Sequence, residues 1–156
     1  MADETVMYQS LLLLGMLAFG AFALTLNNFQ NRAEDNVLEA NLSETLADIG
    51  AKILDLIERG DALRGNPSTS SFSLSIVLNL PNEIANKNYQ INATSENDFA
   101  VLSGIDPISE TIVTTYLLGF NTSEIAFSGT INGNSVAPSI FYQWNGSAYS
   151  ITLQNA

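Results

Sequence analysis

The 156-residue chain sets 16 acidic residues against 5 basic ones, a formal net charge of −11, which repels a phosphate backbone and removes nucleic acid from the expected partners. It contains neither cysteine nor histidine, so a disulfide framework, a thiolate nucleophile, a Cys/His zinc site and the commonest general base are excluded together. The length suits one domain, or a modest domain with an appendage, and with charged residues at only 13 % the surface depends on neutral polar side chains.

The chain opens MADETVMYQSLLLLGMLAFGAFALTLNNF, and no residue between Glu4 and Arg32 carries a formal charge. The apolar run at residues 11–26 spans about 24 Å as a helix, short of a hydrocarbon core of roughly 30 Å. With its uncharged flanks, Thr5 to Asn31, the segment is long enough to cross a bilayer. Asp3 and Glu4 have the wrong sign for the basic front of a secretory signal, but acids at a helix N-terminus offset the macrodipole. Leu11, Leu12, Leu13, Leu14, Met16, Leu17, Phe19, Phe22, Leu24 and Leu26 lie nearly all round the helix, which suits a bundle core and a lipid anchor alike. Gly15 and Gly20 each cost about 1 kcal/mol relative to Ala, and they open notches where another helix can approach closely.

From Asn28 onward the pattern becomes amphipathic. Leu38, Leu42, Leu46, Ile49, Ile53 and then Leu56 or Ile57 recur at steps of three and four, the spacing of one helical face. Asp48 with Lys52 and Asp55 with Arg59 are acid-before-base pairs four residues apart, worth a few tenths of a kcal/mol each. No proline occurs before Pro67, so one helix is predicted from about residue 4 to residue 59. Arg59-Gly60 and Arg64-Gly65-Asn66-Pro67 supply its basic last turn, glycine stop and following proline.

After Pro67 the period shortens to two in SFSLSIVLNL, NYQINATS, DFAVLSGI, ETIVTTYLLGF, EIAFSGTI, SIFYQW and AYSITLQ. Asn145-Gly146, between two alternating arms, predicts a hairpin, and Asn132-Gly133 is a weaker candidate for another. The expectation is an α+β fold: a long N-terminal helix with a C-terminal antiparallel β-sheet or sandwich of six or seven strands packed on its second half. Three regions follow: residues 1–31 as an apolar half-helix, 32–66 as an amphipathic half-helix and linker, and 67–156 as a β-rich head.

This layout resembles the type IV pilin superfamily, the subunits of bacterial and archaeal pili and archaeal flagellar filaments. The likeness covers the whole chain in layout, and in sequence it rests on ADETVMYQSLLLLGMLAFGAFALTL. The resemblance implies a homo-polymer whose apolar half-helices bundle as a filament core, with Leu11 to Leu26, Gly15 and Gly20 inside and the heads outside. It also implies a membrane-inserted state before assembly with the N-terminus in the cytoplasm, and dependence on a prepilin peptidase and pilus assembly machinery. Arg32 beyond the run, read by charge bias alone, gives the opposite orientation. Glu4 corresponds to the glutamate that, in bacterial members, neutralises a neighbouring subunit's terminal amine inside the apolar bundle. Pilin precursors begin with a short basic leader, which this sequence does not show, so a mature form is expected. Bacterial members also commonly carry a proline in the apolar half; without one, an unbroken helix is expected.

The leading expectation is therefore a structural subunit of an extracellular filament serving surface attachment, with no enzyme activity and no cofactor. The alternatives are a single-span anchor for an extracellular β domain with a binding role, the buried helix of a soluble domain, and a hydrolase using paired carboxylates. Sequons stand at Asn41, Asn92, Asn121 and Asn145, with Asn92, Asn121 and Asn145 in the head as candidate N-glycosylation sites. A chain this rich in Asn, Ser and Thr produces such triplets by chance. Glu96, Asp98, Asp106 and Glu110 flank two loops where a hard cation can be held, but without EF-hand spacing a solvated acidic patch is the simpler reading.

Overall fold

The computed structural model describes residues 2–65, 70–118 and 125–155, with side chains from residue 6 onward. Helix α1 runs from Ala2 to Arg64. Seven strands follow: β1 Phe72–Val77, β2 Gln90–Glu96, β3 Phe99–Ile105, β4 Ile112–Leu117, β5 Ile125–Asn132, β6 Ser139–Trp144 and β7 Tyr149–Gln154. The chain divides into two compact units, residues 1–36 and 37–156, so the amphipathic part of α1 belongs with the strands.

Within the second unit the helix lies on the sheet through the stripe that the sequence predicts. Leu38, Leu42, Leu46, Ile49 and Ile53 are all fully buried. Leu56 takes the next buried position, and Ile57 packs half-buried beside it. Opposite them stand the inward residues of the strands, among them Ile91, Leu102, Ile131, Ile140 and Ile151. Burying a large aliphatic side chain is worth about 1.5–3 kcal/mol, so this shared core holds helix and sheet together. The ion pairs Asp48–Lys52 (2.6 Å) and Asp55–Arg59 (2.8 Å) form on the solvent side and add little.

Two glycines carry the close approach of helix and sheet. A Cβ on Gly60 would lie 2.5 Å from Cζ of Tyr142, and one on Gly50 would lie 2.9 Å from a methyl of Leu117. Of the two glycines expected at the helix end, Gly65 and not Gly60 ends it, about one turn later. Gly60 is a socket for the Tyr142 ring, and the helix continues to Arg64, where the Gly65 amide closes it on the Asp61 carbonyl at 3.1 Å.

All seven strands form one sheet, in the order β1-β6-β7-β5-β2-β3-β4, and not a sandwich. It is antiparallel except where β5 runs parallel to β7. Strand β7 inserts between β5 and β6, and the facing Gly129 leaves room for the Leu153 backbone. The Asn145-Gly146 hairpin joins β6 to β7 as a four-residue loop. Its Asn145 Oδ1 accepts bonds from the Ser147 amide (3.0 Å) and the Ala148 amide (2.8 Å). Asn132-Gly133 is not a hairpin, because β5 and β6 are not neighbours; the Gly133 amide instead bonds to the Tyr89 carbonyl at 2.9 Å. A hairpin not anticipated joins β2 to β3 through Asn97 and Asp98, both at positive φ (48° and 67°), as a primed two-residue turn demands.

Candidate assembly surface

Four consecutive leucines at 100° per residue leave no polar face, so the first unit exposes apolar surface in every direction. Leu11 is 62 % exposed and Phe19 74 % exposed, and Met16, Leu17, Phe22 and Leu24 are exposed to a similar degree. One 18-residue window reaches a mean hydropathy of 1.9. Removing the ten large apolar residues from water would release on the order of 15–30 kcal/mol by side-chain burial, as much as a whole domain's net stability or more. A contiguous apolar surface of this size marks a site of contact with protein or lipid.

Two hydroxyls of the segment bond within the helix. The Ser10 hydroxyl donates to the Val6 carbonyl at 2.9 Å, and the Thr25 hydroxyl donates to the Ala21 carbonyl at 2.8 Å. A helix whose hydroxyls bond back to its own carbonyls can enter a dry environment without stranding a donor. Gly15 and Gly20 differ from the glycines of the second unit, since a Cβ at either would meet nothing within 4 Å. No packing among the described residues accounts for them. The side chain of Glu4 lies outside the described residues.

In the head, the acids do not gather. Among the described residues no group of three carboxylates is placed to hold a metal ion. Asp106 is not a solvated acid as expected: it is fully buried, at the start of the β3–β4 loop. Its Oδ1 accepts the Ile108 amide at 2.9 Å, the Ser109 hydroxyl donates to Oδ2, and Lys87 stands 3.7 Å away. Burial opposes ionisation, but the bonds from Ser109 and Ile108 and the Lys87 charge outweigh it and hold the carboxyl below its ordinary value. This carboxylate shapes a loop, and Lys87 ties that loop to the segment before β2.

The sequons occupy different settings. Asn92 is half-buried in mid-strand and accepts the Thr130 hydroxyl at 3.0 Å. Asn145 Oδ1 is engaged in its own turn, Asn41 is exposed on the helix, and Asn121 lies outside the described residues. One further cluster joins residues far apart in sequence and has no local signal. At the end of α1 the Arg64 guanidinium lies 5.7 Å from the Trp144 ring centre and 5.4 Å from that of Tyr149. Tyr142 stacks between Tyr149 (5.9 Å) and Phe72 (5.8 Å), its buried hydroxyl without a hydrogen-bond partner among the described residues. No protein-family model, curated protein or solved structure matches the chain.

Proposed function

We propose that the chain is the repeated subunit of an extracellular filament of the type IV pilus kind, held together by bundling of its apolar N-terminal helices and serving surface attachment. The observation that carries this reading is a first unit whose large apolar side chains are exposed, in a chain whose second unit has already buried its own core. Copies of the same helix are the partner that covers such a surface in every direction. Gly15 and Gly20 allow close approach between them. Before assembly the segment resides in the cytoplasmic membrane, and a prepilin peptidase and assembly machinery act on it. Glu4 pairs with a neighbour's terminal amine, since an unpaired charge in an apolar bundle is costly.

The test is electron microscopy of native material together with a Phe19→Asp variant. Filaments from the natural chain and none from the variant are expected, because each variant subunit would bury an unpaired carboxylate. Normal filaments from Phe19→Asp would refute the core assignment. The hydropathy of the same segment favours one second reading, a single-span anchor for an extracellular binding domain. On that reading native material is a detergent-dependent monomer and forms no filaments.

A further inference from the structure

The outermost strands of the head sheet, β1 and β4, have no pairing strand on their outer sides among the described residues. Neither carries the devices that ordinarily keep an edge from pairing. Each is six residues long, FSLSIV and IVTTYL, without a charge or a proline. Each also runs in unbroken one-to-one register with its inner neighbour, so neither is bulged. Edges left to solvent are usually blunted by lysine, proline, a bulge or a covering element.

The core thins at both edges. Phe72, Leu74 and Ile76 on β1, and Val113 on β4, face inward but are only half-buried. On the outer face Phe99 and Tyr116 meet edge to face at 6.4 Å, and Ile112 stays exposed. A strand laid beside either edge would complete this burial and pair the outward-pointing backbone groups.

Strand sense and charge identify the occupant. Followed across the sheet, the pairings make β1 and β4 run in opposite directions. Repeating the unit side by side therefore sets β4 of one copy antiparallel to β1 of the next, the more stable ladder. Two copies at a net charge of −11 repel wherever carboxylates face each other. The seven strands contain one charged residue, Glu96, and both edges are free of charge.

We propose that β4 of one head pairs with β1 of a second copy, so that the sheet continues from head to head. The proposal rests on the filament reading, which supplies the neighbouring copies. The contact is heterologous and propagates without closing. With a twist of roughly 20–25° per strand, each copy is rotated relative to the last, so the series is helical.

The absence of native cysteine permits a direct test in the full chain. Thr114→Cys is combined in turn with Ser73→Cys, Ser75→Cys and Val77→Cys, the outward positions of β1. Within one copy the two edges are about 29 Å apart at roughly 4.8 Å per strand spacing, so no bridge forms inside a subunit. On oxidation, at least one double variant is expected to convert its monomer band into a ladder of disulfide-linked multimers, with each single variant stopping at or below dimer. Filaments by microscopy without a ladder from any of the three pairs would overturn the edge pairing and leave the filament reading standing. A ladder without filaments would keep the edge pairing and overturn the filament reading. Dimers from Thr114→Cys alone as abundant as those from the double variants would overturn the proposal in favour of a closed β4–β4 pair.

Discussion

Replacing Gly60 by alanine sets two effects of known sign against each other. In an open helix position the change stabilises by about 1 kcal/mol through helix propensity. Here the new Cβ would lie 2.5 Å from Cζ of Tyr142 and 2.7 Å from both Cε1 and the hydroxyl oxygen, roughly an ångström inside ordinary carbon contact. The ring cannot swing aside freely, because it stacks on Phe72 and Tyr149. Overpacking of this kind costs about 1–3 kcal/mol, and disturbing the aromatic pairs adds about 0.5–1.5 kcal/mol for each pair lost. Gly60→Ala should therefore destabilise the head by about 2 kcal/mol. The single tryptophan, Trp144, lies 6.0 Å from Tyr149 in the same cluster, so urea unfolding followed by its fluorescence reads the site directly. In a double-mutant cycle with Tyr142→Leu the penalty should largely disappear. A gain of about 1 kcal/mol from Gly60→Ala alone would refute the socket and mark Gly60 as an open helix position.

Tyr142→Phe should stabilise the head by about 1 kcal/mol in the same assay, since it removes a buried hydroxyl that has no partner and whose desolvation is uncompensated; a loss of stability would mean the hydroxyl is bonded. Burial raises the Tyr89 phenol from 10.0 to about 12, its proton donated to the Pro81 carbonyl at 2.6 Å. A raised folded value gives stability that is complete below pH 10 and lost as pH rises toward 12, so Tyr89→Phe should flatten alkaline unfolding over that window, and an unchanged profile would refute it. Asp106 has the opposite sign. Its lowered folded value supplies stability above the unfolded value that is lost as pH falls through the folded one, so Asp106→Asn should be weaker at neutral pH and less acid-sensitive, as read by urea midpoints across pH 2–7. Filament formation should strengthen as sodium chloride shortens the Debye length from about 30 Å at 0.01 M to 8 Å at 0.15 M, because the heads share one sign of charge; sedimentation showing dissociation by salt would refute that ordering of forces.

The helical stripe from Leu38 to Ile53 was legible because a 3.6-residue period is local, and the strands because alternation is local too. What was hidden depends on partners distant in sequence. Gly60 as a stop and Gly60 as a socket read identically until Tyr142, 82 positions later, is placed against it. Asn132-Gly133 has the composition of a hairpin turn, but β7 occupies the place beside β5 and no local signal reports that insertion. Asn97-Asp98 carries a weaker local signal than an Asn-Gly pair, although both residues tolerate left-handed backbone. Asp106 has the look of any loop acid; only Ser109, Ile108 and Lys87 together make it a buried anchor.

The two units differ in what they leave uncovered, and the proposed assembly rests on that difference. Residues 37–156 close their own core, with helix and strands supplying each other's apolar surface. In residues 6–29 the Ser10 and Thr25 hydroxyls bond to the helix's own carbonyls, while the large apolar side chains stay exposed. Exposed apolar surface of this extent suits a dry environment, and lipid and a bundle of like helices meet it equally well. The glycines separate the two. Lipid conforms to any helix surface and gains nothing from a notch, whereas a neighbouring helix approaches more closely at Gly15 and Gly20, where the chain itself places nothing within 4 Å. Two glycines that weaken the helix by about 1 kcal/mol each, with no packing contact among the described residues, fit the proposed bundle better than an anchor, and that is the ground for placing it first.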